Sequence, residues 1–75
     1  MGIDRSDCNR EFFKASHHED RMDAAQCREA LAGLGIIVSE EECGELVRKN
    51  SAKGDGKINL SEFCIIVEQR VGYKI

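Results

Sequence analysis

Residues 51–62 read SAKGDGKINLSE, and this stretch decides which fold the sequence favours. Gly56 permits a sharp turn, because glycine adopts a positive φ without steric cost. Two places later the β-branched Ile58 favours an extended conformation, and Glu62 with Phe63 opens an apolar helical pattern. The stretch therefore predicts a tight turn, a short strand and the start of a helix.

Apolar residues recur at helical spacing in four segments around this stretch. Each segment has polar residues on its other faces, so each helix must bury one apolar stripe against a neighbour. The predicted helices span about 4–14, 24–34, 39–50 and 60–71, with residues 73–75 as a tail or a link to a deleted segment. The predicted ends are Asp4 or Ser6 as the first N-cap, Gly35 as a left-handed stop, a capping box from Ser39 to Glu42, and Gly72 as the last stop.

The length of 75 residues allows one domain with a small core, and the chain contains no proline to interrupt its helices. A net charge of -3 disfavours nucleic acid as a partner and favours a basic peptide. The order helix, loop, helix, linker, helix, loop, helix predicts two hairpins packed face to face. A plain four-helix bundle is the alternative, and the glycine turn in residues 51–62 argues against it.

Three residues of the opening stretch match the loop of an EF-hand, a calcium-binding turn between two helices. Gly56, Ile58 and Glu62 stand at its sixth, eighth and twelfth positions. Counting back from Glu62 by the separation found in paired EF-hands places Gln26 at the end of a first loop. The Leu-Gly pair at 34–35 and the acidic helix start then also fall where the family has them, without a gap from Gln26 onward.

The chain therefore resembles one lobe of the calmodulin and myosin-light-chain superfamily. The resemblance implies an all-α fold of paired EF-hands, in which four helices and two loops are joined by a short two-stranded β scaffold. It also implies one domain over 1–75, with a degenerate hand at about 4–35 and a second hand at about 39–71.

The first loop implied by this resemblance is residues 15–26, ASHHEDRMDAAQ. Alanine at position 1 gives no side-chain ligand, glutamine at position 12 cannot replace a bidentate carboxylate, and aspartate at position 6 disfavours the turn. Phe12 and Phe13 lie so near its start that one or two loop residues are missing relative to the family. We expect no metal here, and we expect Met22 to pair with Ile58. The unsuitable positions are Ala15, His17, Glu19, Asp20 and Gln26.

The second loop keeps its shape-determining residues but offers few ligands. It has two carboxylates, and Lys53 places an ammonium group at a ligand position, where a positive charge within about 4 Å of a metal costs several kcal/mol. We therefore expect calcium to bind weakly or not at all, and we expect no other cofactor. Lys53 is predicted to contact Asp55 or Glu62 in place of a metal. The candidate ligands are Ser51, Asp55, the carbonyl of Lys57, Asn59 and Glu62.

The resemblance implies binding of an amphipathic target helix in an apolar groove between the hairpins. Promiscuous calcium sensors line that groove with methionine, and this chain has only Met1 and Met22. We therefore expect a non-enzymatic, light-chain-like protein that binds a basic helix, such as a myosin heavy-chain IQ segment, independently of calcium. A cytoplasmic, cytoskeleton-associated location is implied as well. The groove candidates, most of which also suit a closed core, are Phe12, Phe13, Leu31, Leu34, Ile36, Leu46, Phe63, Ile66 and Val67.

Two other functions fit the sequence. One is a weak calcium sensor that uses residues 51–62 alone, and the other is the N-terminal lobe of a longer, centrin-like cytoskeletal protein. No catalytic motif is present, so an enzyme is not expected. No apolar run is long enough to cross a bilayer. The start MGIDRS matches the myristoylation pattern, so membrane contact is expected only if Gly2 is acylated, with Cys8 near enough for a second acyl chain.

The cysteines and histidines have structural interpretations. The four cysteines are spread evenly, without the close pairs of structural zinc sites, and we expect them to be reduced and buried. The adjacent histidines are expected to face solvent in a loop rather than to bind metal. These residues are Cys8, Cys27, Cys43, Cys64, His17 and His18.

Overall fold

The computed structural model describes residues 2–75 and contains four helices and a short sheet. In chain order these are α1 (Arg5–Ser16), β1 (Arg21–Asp23), α2 (Ala24–Gly33), α3 (Glu40–Asn50), β2 (Lys57–Asn59) and α4 (Leu60–Val71). The two strands form an antiparallel pair. The prediction of a small, mostly helical domain with a two-stranded scaffold is therefore confirmed at this level.

The ends of α1 and α2 follow local capping rules. The Asp4 carboxylate accepts a hydrogen bond from the Asp7 amide at 2.9 Å, and the Asp7 carboxylate accepts one from the Asp4 amide at 3.1 Å. Asp4 is thus the N-cap, and Ser6 lies inside the helix. The predicted end of α1 near residue 14 is wrong, because the helix continues to Ser16. The left-handed Gly35 follows α2 as predicted, with a φ of +82°.

The predicted capping box at the start of α3 is only half formed. The Ser39 hydroxyl accepts a hydrogen bond from the Glu42 amide at 3.1 Å. The Glu42 carboxylate does not return to Ser39, because it forms an ion pair with Arg70 on α4. The charged partner on the neighbouring helix takes the place of the local backbone amide.

The sheet places Met22 opposite Ile58, as predicted. Both side chains are fully buried. They lie beneath the two loops, so each strand contributes its single inward-facing residue to the core. The sheet therefore fixes the distance between the loops at the top of the domain.

The core contains side chains from all four helices. Phe12 of α1 lies 5.9 Å from Phe63 of α4, measured between ring centroids. All four cysteines are buried and free, which confirms the prediction for them. Burial raises the pKa of the Cys8 thiol on α1 to about 12. The Cys43 thiol on α3 donates a hydrogen bond to the Ala24 carbonyl oxygen at 3.2 Å. The neighbouring Cys43 thiol and burial raise the pKa of Cys27 on α2.

The sequence suggested that residues 73–75 form a tail, but these residues bond to the rest of the domain. The Tyr73 hydroxyl accepts a hydrogen bond from the Ile3 amide at 2.6 Å and donates one to the Ile3 carbonyl at 3.2 Å. The Ile75 amide donates to the Glu68 carboxylate at 3.2 Å. The last residues therefore fold back over α4 and meet the residues that precede α1.

Candidate functional site

The candidate site is the second loop, residues 51–56, together with the strand that follows it. Two left-handed glycines, Gly54 with a φ of +66° and Gly56 with a φ of +78°, turn the chain sharply. The Asp55 carboxylate between them accepts a hydrogen bond from the Lys57 amide at 3.2 Å. Gly56 thus makes the turn that the sequence predicted, and the Asp55 carboxylate bonds back to the backbone just after that turn.

Arg21 of the facing strand reaches into this loop. Its guanidinium donates to both oxygens of Asp55, each at 2.6 Å, and to the carbonyl oxygen of Lys57 at 3.0 Å. Hydrogen bonding to Arg21 lowers the pKa of Asp55 below its ordinary range. The same hydrogen bond raises the pKa of Arg21, and the charge of Glu62 raises it further. Arg21 therefore uses two of the predicted metal ligands at once.

Glu62 has both carboxylate oxygens engaged by backbone amides. One oxygen accepts from the Asn59 amide at 2.8 Å, and the other accepts from the Ala52 amide at 2.7 Å. The Asn59 side chain in turn accepts from the Glu62 amide at 2.9 Å, so the two residues form a capping box at the start of α4. Glu62 closes the loop and caps the helix with the same two oxygens that would bind a metal.

The predicted role of Lys53 is wrong. Lys53 forms no ion pair in the described part of the chain, and its side chain is exposed. The cation that contacts Asp55 is Arg21, 34 residues away in sequence. The planar fork of an arginine matches both oxygens of a carboxylate, and the antiparallel pairing brings Arg21 next to β2.

The predicted metal ligands of the second loop are already engaged by protein groups. The candidates were Ser51, Asp55, Lys57, Asn59 and Glu62, and the Ser51 hydroxyl lies 3.4 Å from an Asp55 oxygen. The carboxylates are already satisfied by Arg21 and by backbone amides, and Lys53 adds a second positive charge nearby in sequence. Among residues 2–75, no cluster of three or more histidine, cysteine or acidic side chains could hold a metal ion.

The first loop is shorter and differently turned. Only residues 17–20 separate α1 from β1, because Ala15 and Ser16 belong to the helix. The left-handed residues are His17 with a φ of 56° and His18 with a φ of 67°, not the aspartate at the expected glycine position. Both histidines are exposed, as predicted, and the His18 ring stacks on Phe13 with centroids 6.4 Å apart.

Gln26, the counterpart of Glu62, is also a capping residue. Its side-chain oxygen accepts from the Asp23 amide at 3.0 Å, and its own amide donates to the Asp23 carboxylate at 2.9 Å. Sequence reasoning considered Gln26 only as a failed metal ligand. The capping role of Gln26 did have a sequence signal, which is an acidic or amide residue three places after an Asp or Asn.

Of the predicted groove residues, only Ile36 lines the open pocket described in the next paragraph. Five of them, Phe12, Leu31, Phe63, Ile66 and Val67, are fully buried. The other four are half-buried against the same core, and these are Phe13, Leu34, Ile36 and Leu46. The two hairpins are therefore closed on each other.

An apolar groove on the outside of the domain was not predicted from the sequence. It has a volume of about 490 Å³ and lies between α2, the linker and the start of α3. Ile37 in its lining is 76% exposed, and the short side chains of the α2 alanines leave space beside it. The alanine spacing in α2 was the available signal. The outer groove is lined by Ala24, Ala25, Arg28, Glu29, Ala32, Ile36, Ile37, Val38, Glu40 and Cys43.

No family model matches the chain. Within residues 2–75, no helix has both the length and the apolar character needed to cross a membrane. The candidate functional features of residues 2–75 are the second loop with its bound arginine and the outer groove.

Proposed function

We propose that this protein is a non-enzymatic, EF-hand-like lobe, related to calmodulin and the myosin light chains, that binds a basic amphipathic helix without calcium. The paired strands, the glycine turn and the four helices in two hairpins support this assignment. The partner is a helix of a larger protein, of which a myosin heavy-chain IQ segment is the best example. Such a role places the protein with the cytoskeleton.

The contact of Arg21 with Asp55 is the observation that carries the independence from calcium. Calcium sensors change shape because a metal draws the loop oxygens together. Here the guanidinium of Arg21 and the amides bonded to Glu62 already hold those oxygens in place. In such a lobe protein groups already hold the second loop, so no conformational change requires the binding of calcium.

The outer groove supports the choice of partner. A helix can place apolar side chains against Ile37 and the alanines of α2 without opening the buried core. The charged residues of the groove are Glu29, Glu40 and Arg28, so its local charge is negative by one. This excess and the net charge of -3 favour basic residues beside those apolar anchors. The interior candidates Phe12 and Phe63 would need the hairpins to separate first.

The proposal is tested by titrating the protein into a fluorescein-labelled IQ peptide, once in excess calcium and once in chelator. We expect the same dissociation constant within about twofold, because no binding step needs a metal. A peptide of scrambled sequence with the same charge controls for simple electrostatic attraction. Binding that disappears in chelator would show a calcium-dependent sensor instead, and no binding in either condition would remove the proposed function.

The docking surface is tested with Ile37→Asp and a matched control, Ile65→Asp. Both side chains are exposed isoleucines, at 76% and 44%, but only Ile37 lines the outer groove. We expect Ile37→Asp to weaken peptide binding at least about tenfold, which is about 1.4 kcal/mol, and Ile65→Asp to leave it unchanged. Equal effects of the two changes would place the peptide elsewhere.

A further inference from the structure

We propose that Arg21 is an internal cation that closes a latent divalent-cation site in the second loop. The guanidinium takes the place that a metal would have among the oxygens of Asp55 and Lys57. The inference concerns the loop alone, so it stands whether or not the protein binds a helix.

The ligand geometry supports this assignment. Arg21 contacts the side chain of Asp55 and the main-chain carbonyl of Lys57 together, and these belong to alternate residues of one loop. Oxygens from alternate loop residues and a distal glutamate are the kind of set that a hard divalent cation takes. The guanidinium satisfies two members of this set, while the oxygens of Glu62 are turned to the amides of Ala52 and Asn59.

The cations in and beside the loop already outnumber its carboxylates. The two carboxylates are Asp55 and Glu62, and the three cationic side chains are Arg21 from the sheet, Lys53 in the loop and Lys57 at the start of β2. A divalent ion would add two positive charges close to these cations, and this repulsion disfavours its entry. Removing Lys53 alone still leaves the guanidinium bonded to Asp55. Arg21 is therefore the group that competes with a metal for the oxygens of Asp55 and Lys57.

A second ion pair in the molecule shows that the Arg21 contact is unusual. Arg70 contacts Glu42 through one nitrogen and one oxygen on the surface between two helices. Arg21 instead forms a two-pronged contact and a third bond to a carbonyl, and its side chain is only 24% exposed. Arg70 thus provides a control arginine of equal charge in an ordinary surface ion pair.

The test compares three variants that share the loop changes Ser51→Asp and Lys53→Asp. The first carries these two changes alone, the second adds Arg21→Ala, and the third adds Arg70→Ala. The second and third have the same net charge, so only the position of the lost arginine differs. Calcium binding is measured by calorimetry and by the amide chemical shift of Gly56, and circular dichroism checks that each variant is folded.

We expect the variant with Arg21→Ala to bind calcium at least about tenfold more tightly than the first, because a fixed charge and a competing hydrogen-bond donor are both gone. The variant with Arg70→Ala should bind within about threefold of the first. Arg21→Met, which keeps much of the side-chain volume, replaces Arg21→Ala if the latter unfolds.

Three results would overturn the inference. Equal affinity of the first and second variants would show that Arg21 does not compete with a metal. An equal gain in calcium affinity from Arg70→Ala would show that the change in net charge, and not the position of Arg21, causes the tighter binding. No binding by any folded variant would show that the loop is too distorted to hold a cation. None of these results bears on peptide binding in chelator, so the failure of this inference is separable from that of the proposed function.

Discussion

The two loops at the top of the domain differ in length, in turn residues and in charge, although the same sheet joins them. The first has four residues, 17–20, between helix and strand, and the second has six, 51–56. The first turns on two left-handed histidines, and the second turns on Gly54 and Gly56. Arg21 follows the first loop directly, and its guanidinium bonds to an acid of the second.

The comparison shows that the strand after the first loop supplies the cation that bonds to the carboxylate of the second loop. The second loop has the glycine turn and the Asp55 carboxylate, and the cation bonded to that carboxylate comes from the strand after the first loop. The short first loop sets the start of β1 so that Arg21 faces Asp55. The glycine turn of one loop and the arginine after the other therefore act together, and their ion pair joins the two loops.

The largest expected effect concerns the part that the two loops share. Met22→Ala and Ile58→Ala each remove a fully buried side chain from the facing strands. Each should lower the free energy of unfolding by about 2–5 kcal/mol, as other truncations of large core residues do. Urea denaturation measures the loss, and Ile37→Ala, at an exposed position, should change stability by less than about 0.5 kcal/mol. A negligible effect of either strand truncation would show that the loops are not held together through the sheet.

Substitutions at the turn residues should change the stability of the protein by a smaller amount, with opposite signs in the two loops. Gly56→Ala puts a Cβ on a residue with a φ of +78° and should destabilise the protein by about 1 kcal/mol. His17→Gly removes a Cβ from a left-handed helix end and should stabilise it by about 0.5 kcal/mol. Thermal unfolding of both variants gives the comparison. Destabilisation by His17→Gly would mean that the histidine side chain has a packing role that outweighs the strain.

The smallest effect is the pH dependence of the contact between the loops, because the Asp55 side chain is 45% exposed and solvent screens it. Arg21 lowers the pKa of Asp55 in the folded protein, below about 3.9 for an ordinary aspartate. The stabilisation is therefore complete above pH of about 5 and is lost as the pH falls through the folded value. We expect Asp55→Asn to lose less stability than the unmodified protein between neutral pH and about pH 3 in urea titrations.

Asp20→Asn is the matched change in the first loop, because Asp20 is an exposed acid with no ion pair in residues 2–75. It should leave the acid response as it is. If Asp20→Asn alters the acid response as much as Asp55→Asn does, the ion pair with Arg21 is not its source.

The parts of the fold that depend on neighbouring residues could be predicted from the sequence. The turn at Gly56, the stop at Gly35 and the pairing of Met22 with Ile58 each follow from a local pattern or from one periodicity. These features depend on backbone preferences and on apolar spacing, which a single sequence displays. The exact ends of the helices could not be placed in the same way, and α1 continues two residues beyond its predicted end.

The contacts that define the candidate site could not be predicted in this way. Arg21 and Asp55 are 34 residues apart, and Glu42 and Arg70 are 28 apart. Nothing in the spacing of such charges says which acid a given arginine will meet, because the choice depends on the direction of long side chains in the folded state. Lys53 looked suitable only because it was near in sequence. The outer groove was missed for a related reason, since its floor is made of alanines that sequence patterns assign to a helix surface.

The hydrogen bonds between Tyr73 and Ile3 make the order of the helices in the chain less important than their arrangement in space. Since residues 3 and 73 touch, a short peptide can join the residues beyond them without disturbing the core. New ends can then be opened beside the exposed Ile37, between the two hairpins. In the rearranged chain the second hairpin would be synthesised first, and folding would still bring Arg21 to Asp55. The four helices thus form a closed ring, and the fold does not depend on which hairpin comes first in the chain.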